Sequence, residues 1–272
     1  MTSRPTRATV AGRAYLDLQN LARRQGRPTD ELHQMYALEG FLARLAISSY
    51  AGQLILKGGV LLAAYEARRP TRDVDLQARR LPDQATEALS TARHIAALPV
   101  DDGLSFDTGN ATAHAIRDTE AYSGVRVTLT AQLATARLTF HVDMSTGDPI
   151  WPAPQIITLP RLLHGHIRIS GYPLSMVHAG KLVTAVQRGT ANTRWRDFAD
   201  IYLLASASAC PRQVPVVVTA AGAMRGQSQA SHRRARPAPH PPAACQPGPL
   251  RGVMGSSAAS GPVPSPGVCR AM

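Results

Sequence analysis

Asp73 and Asp75, one residue apart in RDVDL, are the side chains best placed by type and spacing to do chemistry. On an extended segment, residues i and i+2 face the same side, so both carboxylates project together. Upstream stand Gly58 and Gly59, between the apolar run Leu54, Ile55, Leu56 and the segment VLLAAY from Val60 to Tyr65. The apolar run reads as a brief buried strand, and VLLAAY as a helix whose first N–H groups point back at the glycines, a seat for phosphate. Glycines tolerate backbone angles other residues avoid and let the main chain lie against a ligand. Two carboxylates beside a phosphate cradle can hold a divalent cation against a triphosphate, because Mg²⁺ takes hard oxygen ligands from protein and nucleotide together. Taken singly, a Gly-Gly pair is a turn and D-x-D a solvated strand end. The ordered combination strand, GG, helix, DxDL is what points to a site.

Further acidic and basic groups lie downstream. In ARLTFHVDMS the alternation puts Leu138, Phe140 and Val142 on one face and Thr139, His141 and Asp143 on the other. Asp143 is then either a third acidic group of the site or a strand-end carboxylate facing water, with His141 a partner or bystander rather than a metal ligand. A second cluster falls in KLVTAVQRG and RDFADI. Lys181, Ala185 and Arg188 share one helix face, and Asp197, Asp200 and Ile201 share a face one helix later. A lysine with a nearby arginine can neutralise triphosphate charge, and Asp197 can hold Lys181 or Arg188 in place. Read alone, the cluster is first of all a salt-bridged helix pair; its place after the GG and DxDL block is what points to a site.

The order GG, a short gap, R-x-T-x-D-x-D-L, then K-L-x-x-A-x-x-R and R-D-x-x-D-I resembles the AbiEii/AbiGii toxin family of nucleotidyltransferases, found in abortive-infection and toxin–antitoxin systems. The resemblance covers about residues 12 to 204. It implies that Gly58 and Gly59 hold the incoming nucleoside triphosphate, that Asp73 and Asp75 bind Mg²⁺ (two ions), and that Asp143 accepts a proton from the attacking hydroxyl or completes the metal shell. It further implies that Lys181 and Arg188 contact nucleotide and that Asp197 is an essential acidic residue, with Arg196 and Asp200 less closely matched. The expected activity is transfer of a nucleoside monophosphate from NTP to an acceptor, with tRNA among the acceptors and a separately encoded antitoxin as partner. Where the family usually has Ser, this chain has Gly59, which removes a hydroxyl contact to phosphate and leaves the backbone cradle. Many relatives carry an acidic residue just before the lysine, here Gly180. A catalytically inactive nucleotide- or RNA-binding relative and a protein-modifying transferase are the alternative readings.

The elements that must position these groups follow from periodicity. Ala14, Leu18, Leu21 and Ala22 recur at helical steps, Gly26 and Pro28 break the pattern, and Thr29 or Asp30 can cap a second helix. That helix carries Leu32, Met35, Tyr36, Leu38, Phe41, Leu42 and Leu45, a scaffold face. Gln84 to Ala97 reads as a helix, and Asp101 to Thr108 as a loop or short strand. GVRVTLTAQL and ARLTFHVDMS read as antiparallel strands of the sheet that carries Asp73 and Asp75. Asp148, before Pro149, reads as a turn residue, and Arg79 and Arg80 as a solvated strand end. Residues 151–173, with four prolines and the extended pieces IITLP and HIRIS, read as a connector. The expected fold is α/β (α+β): a small mixed sheet flanked by helices, with a helical C-terminal portion.

Residues 1–10 are then a flexible start, 11–150 the transferase core with its preceding helices, and 151–204 the connector and helical end of the same domain. Residues 205–272 change character: they contain no Asp, Glu, Lys, Phe, Trp or Tyr, but eleven prolines and seven arginines. Such a tail forms little core and reads as a low-complexity segment or as the product of a frameshift near residue 205. The net charge of +12 divides into +5 before residue 205 and +7 after it, so the body is mildly basic, which fits an RNA partner. All three cysteines lie in the tail, which excludes a disulfide framework or a Cys-based metal site in the body. No apolar run approaches the roughly 18 residues of a membrane helix, and no apolar signal region opens the chain, so a cytoplasmic location is expected.

Overall fold

The computed structural model describes residues 4–79, 85–117, 123–146, 150–188 and 195–207. Helix α1, Val10–Gln25, starts at Thr9, whose hydroxyl accepts from the Gly12 N–H at 3.0 Å. It stops at Gly26, which takes the left-handed conformation (φ 63°) that glycine adopts at least cost. Helix α2, Thr29–Ile47, begins after Pro28 rather than at a Thr29 or Asp30 cap; Asp30 and Glu31 in its first turn offset the positive end of the helix instead. Twelve of the nineteen residues of α2 are buried, with Leu32, Phe41, Leu42 and Leu45 fully so, because it packs on α1 and the sheet and meets α4 (Ala85–Ala96).

The seven strands are β1 Leu54–Lys57, β2 Asp73–Ala78, β3 Leu104–Arg117, β4 Ser123–Leu133, β5 Ala136–Ser145, β6 Gln155–Pro160 and β7 His166–Gly171. They form one mixed sheet in the order β3-β4-β5-β2-β1-β7-β6. The pairs β2–β5 and β1–β7 are parallel and the remaining pairs antiparallel. Period-two alternation then sorts the side chains. Val74, Leu76, Val127, Leu129, Phe140 and Val142 are buried on one face, against the helices. Asp73, Asp75, Gln77, Arg126, Asp143 and Ser145 share the other, polar face.

Three expectations change. VLLAAY is not one helix: a single α turn, α3 (Gly58–Leu61), passes into a 3-10 turn, Leu62–Tyr65. The stretch after Asp101 is a 14-residue strand, β3, rather than a loop or short strand. The proline-rich connector contributes β6 and β7, which pair with each other and extend the sheet beyond β1. Pro160 is tolerated because it ends an edge strand, where a missing N–H costs no ladder bond. The C-terminal helices are α5, Leu174–Arg188, and α6, Trp195–Ala207. Arg80, Asp148, Gly189 and the tail from residue 208 lie outside the described residues.

Candidate active site

Sheet register, not sequence proximity, assembles the acidic cluster. Asp75 on β2 lies opposite Asp143 on β5, and on its other side opposite Lys57 on β1. Asp73 stands two residues earlier on the same face. The structure thus brings together the three carboxylates expected from the sequence.

Asp75 is the most constrained of them. Its carboxyl is pushed up to about 6, first by burial and then by the Asp143 carboxylate, with Lys57 pulling it down and Asp73 adding to the rise. The Gly59 N–H points at its Oδ2 from 3.4 Å. Gly58 has φ 70°, and a Cβ there would lie 1.8 Å from the same Oδ2. The first glycine is therefore needed to make room for Asp75, a different duty from the ligand cradle expected of it. With α3 a single turn, its Gly59 amide leans towards a carboxylate of the protein.

Two partners of this cluster are missing from the expectations drawn from the sequence. Arg126, on β4 directly across from Asp143, donates through Nε at 2.8 Å and Nη2 at 2.6 Å to the two carboxylate oxygens. Lys57 donates to Ser145 Oγ at 2.7 Å, and Ser145 in turn to Gln77 Oε1 at 2.9 Å. Lys57 carried a signal, standing directly before the glycines. Arg126 carried one in the alternation of GVRVTL, which puts it on the face shared with Thr128. His141 bonds Thr128 through Nδ1 at 3.1 Å, as a bystander would.

The second cluster is also assembled. Lys181 Nζ sits 3.0 Å from Asp197 and 2.6 Å from Asp200. Asp200 is fully buried and also takes Nε and Nη2 of Arg69 at 2.8 and 3.0 Å. Arg69 precedes Asp73 by four residues, so this carboxylate ties α6 and α5 to the segment that leads into the acidic strand. Arg188 ends α5, and its side chain lies outside the described residues.

Hard oxygen donors on a face where burial and the neighbouring Asp143 and Asp73 push the Asp75 carboxyl up suit a divalent cation. Among the described residues no group of three or more acidic or histidine side chains converges as a closed metal cage, Asp143 being turned to Arg126. Two carboxylates suffice where nucleotide and water complete the shell, so Asp73 and Asp75 fit such an ion.

The family model described as "Nucleotidyl transferase AbiEii toxin, Type IV TA system" matches residues 40–254. The chain belongs to the AbiEii nucleotidyltransferase toxin family. The match begins inside α2 and takes in every strand of the sheet, α5 and α6. Membership implies an NTP substrate and an antitoxin partner. Among solved structures, the chain is similar to JHP933 from Helicobacter pylori, at 14% identity and TM-score 0.42, over 81% of this chain and 92% of that one. It is also similar to the antibiotic-resistance factor ANT(2'')-Ia, at 12% identity and TM-score 0.41, over 75% and 97%. No curated protein matches its sequence. Among the described residues no helix is long and apolar enough to cross a membrane.

Proposed function

We propose that this AbiEii-family chain transfers a nucleoside monophosphate from NTP to the hydroxyl of an RNA acceptor, tRNA foremost, and releases pyrophosphate. The observation that carries the reading is the alignment of Asp75 with Asp143 across β2 and β5, with Asp73 on the same face. Asp73 and Asp75 would hold Mg²⁺, which when bound supplies charge neutralisation and lowers the pKa of an attacking hydroxyl. The acceptor oxygen bonds to the α-phosphorus while the bond to the bridging oxygen breaks, and pyrophosphate leaves with its electron pair. Asp143 accepts the hydroxyl proton. Lys181, held by Asp197 and Asp200, would meet triphosphate charge, and the mildly basic body favours a polyanionic acceptor.

The test offers the purified chain each labelled NTP with Mg²⁺ and total tRNA, beside an Asp73→Asn/Asp75→Asn variant. Label entering RNA and lost in the variant supports the reading; retained activity in the variant would sink the role of the pair. Label on protein keeps the chemistry and changes the acceptor. One observation favours a second reading, a nucleotide- or RNA-binding relative without turnover: both Asp143 oxygens are engaged by Arg126. Binding that weakens steeply with salt, with no label transferred, would establish it.

A further inference from the structure

The two adjacent glycines lack side chains for different reasons. Gly58 is left-handed and makes room for Asp75, whereas Gly59 has no positive φ, so its backbone alone does not call for glycine. What calls for it is the segment before β2. A Cβ on Gly59 would lie 3.0 Å from Thr71 Oγ1, 3.3 Å from Thr71 Cβ and 3.4 Å from Arg69 Nη1. The volume a side chain would take at position 59 is thus occupied by a hydroxyl and the edge of a guanidinium.

Both groups have hydrogen-bonding capacity in reserve. Among the described residues Thr71 Oγ1 makes only long contacts with the Asp73 backbone, 3.4 Å to its carbonyl and 3.5 Å from its N–H. A hydroxyl at those distances is weakly engaged. Arg69 is fixed through Nε and Nη2 by the buried Asp200, which leaves Nη1 with Pro70 O at 3.2 Å and aimed along the glycine turn. The pair stands two and four residues before Asp73, and the Asp75 carboxylate lies 3.4 Å from the Gly59 N–H. Donors and carboxylates therefore flank the same turn, which is the arrangement a phosphate bridged to a cation requires.

We propose that Thr71 is a nucleotide-binding residue: its hydroxyl, with Arg69 Nη1 beside it, donates to a phosphate oxygen of the triphosphate at Gly59 and supplies the hydroxyl that position 59 lacks. The inference rests on the nucleotidyltransferase reading and adds a residue to that site. Arg69 acts with it and is itself positioned by Asp200.

The test measures, with Mg²⁺ present, the affinity of a non-hydrolysable NTP and of the matching NMP for wild type, Thr71→Val, Thr71→Ala and Thr71→Ser. Steady-state KM and melting temperature are taken alongside. Thr71→Val and Thr71→Ala are expected to bind the NTP about tenfold more weakly, the scale of one hydrogen bond to a charged group. Their NMP affinity and melting temperature should stay near wild type, and Thr71→Ser should recover NTP binding. A purely structural threonine would instead lower the melting temperature and leave the NTP-to-NMP ratio unchanged. Wild-type NTP affinity in both variants, while the wild type itself binds NTP, overturns the inference alone. A wild type that binds no NTP overturns the transferase reading and this inference with it.

Discussion

Arg126 holds both oxygens of Asp143 from the directly opposed position on the neighbouring strand, so the third carboxylate of the cluster carries its own counter-charge. The same contact keeps the guanidinium more firmly protonated than usual, chiefly through the hydrogen bonds to Asp143. A cation seated on Asp73 and Asp75 would compete with Arg126 for Asp143. The Arg126→Gln variant is expected to lose about 1–3 kcal/mol of stability, between the limits for exposed and buried pairs. Mg²⁺ should return more stability to the variant than it adds to wild type, because Asp143 is then free to ligate. Urea unfolding at pH 7.5 with and without Mg²⁺ measures both; an Mg²⁺-independent loss would count against the competition.

Asp75 makes the cation-free protein sensitive to pH. Its carboxyl titrates at about 6 when folded, against 3.8 ordinarily, with burial the largest cause. A raised folded pKa stabilises the fold fully below the unfolded value, and that contribution is lost as pH rises through about 6. Asp75→Asn is uncharged throughout and removes the dependence. Discounted for the partial exposure of the side chain, the variant should be more stable than wild type by about 1–2 kcal/mol at pH 7.5, with little difference near pH 4. Urea midpoints in chelator across that range give the answer. A variant less stable than wild type at pH 7.5 would show that the charge is not under strain.

The chemistry of this site was legible where it is written in local spacing and hidden where register supplies it. Asp73, Asp75 and the strands flanking them follow from alternation alone. Arg126 sits in a correctly read strand, yet its partner is set by the hairpin: Leu133 pairs with Ala136 across the two residues Ala134 and Thr135, and stepping back along both strands brings Arg126 to Asp143. Ala134 at φ 48° is an unusual residue for that turn, so the usual Asn-Gly signal is missing. The β6–β7 pair was masked by the prolines around it, of which Pro160 alone lies in a strand, at the end of edge strand β6. Asp200 was legible as a member of the second cluster beside Asp197, but its partner Arg69, remote in sequence, was not.

Gly58 offers a sharper test of packing. Alanine there meets two costs: a left-handed φ, about 1–2 kcal/mol for a residue with a Cβ, and a Cβ placed 1.8 Å from Asp75 Oδ2. Gly58→Ala is therefore expected to destabilise by more than about 2 kcal/mol and to abolish transfer. Combining it with Asp75→Asn should not relieve the clash, since Asn has the same shape. Combining it with Asp75→Ala should recover part of the stability and none of the activity. Thermal melts of the three proteins decide it, and a Gly58→Ala single variant that melts like wild type would show the turn is more pliant than its contacts indicate.

Asp197 and Asp200 both hold Lys181, but they should fail in different ways. Asp200 is fully buried and serves Arg69 as well, so Asp200→Asn strands two cations where water cannot reach the carboxylate position. Breaking a buried pair from one side costs about 3 kcal/mol or more, and here the loss falls on the link between α6 and the segment entering β2. Asp197 is partly exposed and among the described residues pairs with Lys181 alone, so Asp197→Asn should cost about 1 kcal/mol or less. Lys181 then keeps one carboxylate but loses the contact that fixes its direction. The expected pattern is an Asp197→Asn protein with a near-native melt and reduced transfer, and an Asp200→Asn protein that loses both. Melting curves beside the labelled-NTP assay separate the two. An Asp200→Asn protein with a wild-type melt would mean that the clamp orients Lys181 without holding α6 in place.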